Sequence, residues 1–118
     1  MTINEYQIEA LRTESGMNKD PNRLKPDTFR LLNGLMGLCG EAGEAMDILK
    51  KHLFQGHDLD VDHLASELGD IAWYLAVSAA AIGYDLEKIF VMNRAKLRAR
   101  YPEGFDAELS KNRKEGDI

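Results

Sequence analysis

Residues 37–51 read GLCGEAGEAMDILKK and residues 67–83 read ELGDIAWYLAVSAAAIG. Both stretches space their apolar residues at the helical period, and neither alternates as a strand does. Each also sets two carboxylates three residues apart at the margin of an apolar run: Glu41 and Glu44 in the first, Glu67 and Asp70 in the second. At about 100° per residue, such a pair lies about 60° apart on one flank of its helix. On the helix that carries the first stretch, Gly34, Gly37 and Gly40 share that flank with the acids. A glycine inside a helix costs roughly 0.8–1 kcal/mol relative to alanine, so the close approach of another helix or a ligand is expected to offset the loss.

Working outward, the pattern predicts an all-α chain of four main helices. Thr2 caps the first, with Glu5 closing a capping box, and the helix runs to about Glu14. The stretch from Ser15 to Lys25, with Gly16, Asn18, Pro21 and Asn22, has the composition of a loop. A second helix opens at Asp27 and continues to His52 or Phe54, ending before Gly56. A third, capped by Asp60 or Asp62, stops at Gly83, where glycine suits a left-handed residue after a helix. Asp85 caps a fourth that reaches Tyr101, and Pro102 prevents its continuation. A short helical turn and a frayed, charged tail over 110–118 complete a single domain spanning 1–118.

Leu31, Leu35, Leu38, Ala42, Ala45 and Leu49 on the second helix are expected to pack on Leu64, Leu68, Ile71 and Leu75 of the third. His63, Glu67, Asp70 and Tyr74 run beside that stripe. Trp73 and Tyr74 read as core aromatics rather than as a platform for a base.

The 118 residues carry a net charge of −5, which argues against a nucleic-acid duplex as partner. Between Lys88 and Arg100, however, the chain holds Lys88, Arg94, Lys96, Arg98 and Arg100 without one acid, a local cationic helix suited to a small polyanion. The lone Cys39 has no internal disulfide partner; it reads as a packing residue of a reduced, cytoplasmic protein. MTINEYQIEA lacks the profile of a signal peptide. The apolar run from Ile71 to Ile82 is twelve residues long, short of the roughly 20 that cross a bilayer. No membrane partner is expected.

If the second and third helices are antiparallel neighbours, the two acid pairs face each other across their seam. Such a cluster repels itself and calls for cations. Hard oxygen ligands, with no thiolate or imidazole at matching spacing, favour Mg²⁺ or Mn²⁺ over zinc or copper. The lack of a Glu-x-x-His pair weighs against a di-iron bundle. On the fourth helix Asn93, Lys96 and Arg100 fall on one face and present groups suited to phosphate. The plainer alternative is that the acids pair with Lys or Arg or face water, and that the basic face is solvated. Lys50 and Lys51, about two turns after the first acid pair, read as a solvated helix end, with the approach of one to a phosphate as the alternative, and His52, His57 and His63 as surface or loop histidines.

GEAGEAMDILKKHLFQG, ELGDIAWYLA and NRAKLRARYPEGF, in that order, resemble consecutive blocks of the MazG-like all-α nucleoside triphosphate pyrophosphohydrolases, and EYQIEALRT resembles the first helix of small members. That resemblance spans most of residues 5–105 apart from the loop after Gly16. It implies a four-helix MazG-like bundle completed by oligomerisation into a homodimer or homotetramer, with sites near subunit interfaces. It also implies Mg²⁺-dependent hydrolysis of a nucleoside triphosphate, often a deoxynucleotide or an aberrant one, to the monophosphate and pyrophosphate. Glu41, Glu44, Glu67 and Asp70 would then hold the metal, with Glu41 and Glu44 as the catalytic pair and Glu41 as the choice to orient the attacking water. Asn93, Lys96 and Arg100 would receive the phosphates. A non-catalytic nucleotide-binding or protein-interaction module, and a phosphoribosyl-ATP pyrophosphohydrolase, are the alternatives. Arg12 and Thr13 match a family position without a derived role.

Overall fold

The computed structural model describes residues 1–16 and 27–117. Five helices follow one another: α1 (Ile3–Arg12), α2 (Thr28–Gln55), α3 (Val61–Ala81), α4 (Leu86–Arg100) and the short α5 (Ala107–Lys111), with no strand among the described residues. Most of the expected loop after Gly16 lies outside them.

The caps explain the boundaries. The Glu5 amide donates to Thr2 Oγ1 (3.0 Å) and the Thr2 amide to Glu5 Oε2 (2.8 Å), completing the capping box of α1. Asp27 accepts from the Arg30 amide at the start of α2, and Gly56 ends that helix with a left-handed φ of 71°. Asp60 accepts from the His63 amide (3.0 Å) at the start of α3. Asp85 stands just before α4, but the Leu86 amide finds its acceptor elsewhere, in Gln7 Oε1 at 2.9 Å.

The chain forms two compact units, Met1–Leu86 and Glu87–Ile118. In the first, α2 and α3 make an antiparallel hairpin over the short link 56–60. The Asp27 amide donates to the Ala81 carbonyl (2.8 Å), Gly34 meets Ser78, and Gly37 meets Tyr74, so the numbering runs in opposite directions along the seam. Helix α1 lies against α3. The buried Gln7 donates to the carbonyls of Ala76 (3.2 Å) and Tyr84 (3.1 Å), and Trp73 Nε1 donates to Thr13 Oγ1 (2.8 Å). Ala10, Ala76, Val77, Ala79, Ala81 and Leu86 form the buried core. Glu14 accepts twice from the Arg30 guanidinium (2.9 and 2.8 Å), tying the segment after α1 to α2.

The packing face differs from the expected one. Leu68 is 57% exposed while its neighbour Glu67 is only 7% exposed, and Leu35, Ala42 and Leu49 are exposed as well. The reason is steric. Without a Cβ, Gly34 and Gly37 leave room for Ser78 and the Tyr74 ring, so the helices close along the glycine flank and carry the acids into the seam. The rest of the expected stripe, Leu31, Leu38 and Ala45 of α2 with Leu64, Ile71 and Leu75 of α3, is half-buried. Cys39 is exposed too, not packed, on a face of α2 that also shows Leu32, Met36 and Met46.

In the second unit α4 is followed by a turn in which the rings of Tyr101 and Phe105 meet at 5.4 Å, then by α5. The segment read as a frayed tail carries Asp117, which accepts from Arg100 Nε (2.8 Å) and Nη2 (2.7 Å). No helix among the described residues is long and apolar enough to cross a membrane.

Candidate metal and phosphate site

The seam of the hairpin brings three of the four predicted acids together. Glu41 from α2 and Glu67 and Asp70 from α3 each present a carboxylate oxygen within 4.8 Å of the other two. Glu67 is placed by the glycine-mediated approach of the helices, and its Oε1 is held by His63 Nε2 at 3.0 Å, one turn back on α3. Its Oε2 is buried without a hydrogen-bond partner, and so is Glu41 Oε2.

Those two oxygens set the electrostatics. While both groups are ionised, neither offers a donor to the other. A proton on Glu41 allows it to donate to Glu67. That hydrogen bond, then burial, then the charges of Glu44, Glu67 and Asp70 push the Glu41 pKa up to about 7. Glu41 thus holds its proton well above the ordinary carboxylate range.

Glu44 stands outside this triad. It is exposed and lines an adjacent cavity of about 550 Å³, together with Lys51, His57, Asp60, His63 and Glu67. Lys51 Nζ lies 2.9 Å from Asp47, and this bond, reinforced by Lys50, holds Asp47 below the usual carboxylate range against the opposing effect of burial. Lys51, read from sequence as a solvated helix end, therefore belongs to the wall of the acid-lined cavity. Gly40 and Gly43, next to the acids, face open space rather than another helix.

Two groups around the cluster escaped the sequence reading. Tyr6 of α1 approaches Asp70: burial first, and the Asp70 charge second, raise its phenol above the ordinary value. No spacing signal announces this, because the two belong to different helices far apart in the chain. His63, expected as a surface histidine, is indeed more than half exposed but bonds Glu67. Its position four residues before Glu67, on the same flank, was the available clue.

In the second unit Asn93, Lys96 and Arg100 line one cavity of about 640 Å³, joined by Asn112, Arg113 and Lys114 from the C-terminal segment. The predicted helix face is therefore one wall of a basic pocket. The Arg100 fork within it is engaged by Asp117, whose carboxyl it holds below the ordinary range.

A family model described as the MazG nucleotide pyrophosphohydrolase domain matches residues 30–105. The chain belongs to this family. The MazG segment takes in both acid pairs, Lys51, His63 and the phosphate-suited face of α4, whereas Tyr6 and Asp117 lie outside it. Over 73 residues the chain is 37% identical to the Gene 37 protein of Mycobacterium phage L5, covering 58% of this chain and 64% of that protein. The chain thus spans less than two thirds of that relative's length. No solved structure matches it.

Proposed function

We propose that this MazG protein hydrolyses a nucleoside triphosphate, of the deoxy or an aberrant kind, to the monophosphate and pyrophosphate in a Mg²⁺-dependent reaction. One observation carries the reading: two buried carboxylate oxygens, Glu41 Oε2 and Glu67 Oε2, lie without partners beside Asp70. An all-oxygen set of this kind fits a hard divalent ion, Mg²⁺ or Mn²⁺, with Glu41, Glu67 and Asp70 as its holders and Glu44 at the open side. Bound there, the ion would offset the acids' mutual repulsion, polarise phosphoryl oxygens and make a bound water more acidic.

The chain's own residues supply the rest. Glu44 is free of the triad and faces the cavity, so it is better placed than Glu41 to take the proton as water attacks the α-phosphorus. Attack breaks the bond from the α-phosphorus to the bridging oxygen, and pyrophosphate departs with its electron pair. Lys51 on the cavity wall would bind phosphate oxygens and counter the charge of the leaving group; within the second unit, Asn93, Lys96 and Arg100 line a basic pocket suited to phosphate oxygens.

Exposed Leu35 and Leu49 of α2 and Val61 and Leu68 of α3 are apolar area that a second copy would bury, which supports a homodimer or homotetramer. We assign the protein to the cytoplasm on its free thiol.

The test is a panel of ribo-, deoxy- and base-modified triphosphates, with phosphoribosyl-ATP included, incubated with the protein with and without Mg²⁺. Release of pyrophosphate together with the monophosphate is the expected result. A folded protein that turns over none of them would overturn the proposal, and turnover of phosphoribosyl-ATP alone would move the substrate to that class.

A further inference from the structure

We propose that His63 is a positioning residue that fixes which oxygen of Glu67 faces the cation, an inference that rests on the metal-dependent reading above. A glutamate side chain turns about three torsions, so burial alone does not decide how its carboxylate is presented. Here the decision is local. His63 and Glu67 stand one turn apart on α3, and Nε2–H donates to Oε1 at 3.0 Å. The other oxygen, Oε2, is left buried and unpartnered beside Glu41 and Asp70.

His63 is itself anchored. Its amide is bonded by the Asp60 cap at 3.0 Å, so its backbone is fixed at the first turn of α3. The His63 side chain is 56% exposed and that of Glu67 10%, which makes His63 the outer member that screens one face of an inner ligand. Outer hydrogen bonds of this kind orient metal-holding carboxylates, and their loss typically lowers metal affinity about 10–100-fold. Neutral imidazole protonated on Nε2 suffices as the donor, so no charge on His63 is required.

Mn²⁺ binding to the full chain without nucleotide, followed by the loss of the free-ion electron paramagnetic resonance signal, tests this apart from catalysis. All variants are compared at one pH, and His63→Gln, which removes the ring but keeps a donor, controls for the ring's charge. His63→Ala is expected to weaken Mn²⁺ binding about 10–100-fold, and His63→Gln, whose amide can donate to Glu67 across the same turn, to bind close to wild type. Circular dichroism of both variants checks that the helices are retained, and the His63→Gln result stands even where His63→Ala folds poorly. Unchanged binding in His63→Ala, or binding in His63→Gln as weak as in a folded His63→Ala, overturns the assignment. Glu67→Gln separates the two levels. If Glu67→Gln loses Mn²⁺ while His63→Ala keeps it, only the role of His63 falls; if wild type binds no Mn²⁺, the metal-dependent reading falls with it.

Discussion

The ring of Tyr74 lies against the backbone of Gly37, in the space that a Cβ at position 37 would fill. Trp73 backs that ring edge-on, with centroids 5.0 Å apart, so the ring has little freedom to yield. Gly37→Ala gains about 1 kcal/mol of helix propensity but overpacks the seam, a change that typically costs 1–3 kcal/mol. A net loss of stability is expected. Gly40→Ala meets nothing and should gain up to about 1 kcal/mol. Urea denaturation of the two variants decides the matter, and a Gly37→Ala protein as stable as Gly40→Ala would contradict the close approach.

Glu41→Gln should separate stability from function. Removing one of the clustered acids relieves repulsion among Glu41, Glu44, Glu67 and Asp70, so the metal-free variant should melt above wild type at neutral and higher pH. Its Mg²⁺-dependent turnover should fall at least about 100-fold, since a direct holder of the ion matters more than an outer partner. Melting curves in chelator and a pyrophosphate assay measure the two effects, and equal activity would remove Glu41 from the site.

The Glu41 proton makes metal-free stability depend on pH in a defined direction. Its pKa stands near 4.5 in the unfolded chain and is raised to about 7 in the fold. Below the lower value both states hold the proton; between the two values the folded state holds more, so stability falls as pH rises through that window and levels off above it. Melting temperatures in chelator across this range should show the decline, and Glu41→Gln should flatten it. A cation that displaces the proton should bind more weakly as pH drops below about 7 and release protons on binding, which calorimetry in buffers of different ionisation enthalpy detects.

Asp117 occupies the guanidinium fork that a phosphate would use. Asp117→Asn removes a competing charge, so KM should fall, on the order of a few-fold, with kcat little changed. Arg100→Ala should raise KM in either background. Steady-state kinetics of the single and double variants test the competition; an unchanged KM in Asp117→Asn would separate Arg100 from substrate binding.

The helix ends were legible because caps are local: Thr2, Asp27 and Asp60 each bond an amide within a few residues. The acid pairs were legible because their spacing is helical. The seam was legible in part: the glycine flank announces a close approach, which Gly34 and Gly37 make, but the apolar stripe puts Leu68 inside, where the approach carries Glu67 instead. Cys39 was misplaced for the same reason. Tyr6 beside Asp70 and Asp117 on Arg100 depend on how the chain folds back, which periodicity does not encode.

Gln7 uses two amide hydrogens and one oxygen on three backbone groups, those of Ala76, Tyr84 and Leu86. Glutamate would forfeit the donors, lysine the acceptor, and asparagine one methylene of reach. Position 7 therefore has no ready synonym among the other side chains, although none of its three partners is an acid of the cluster.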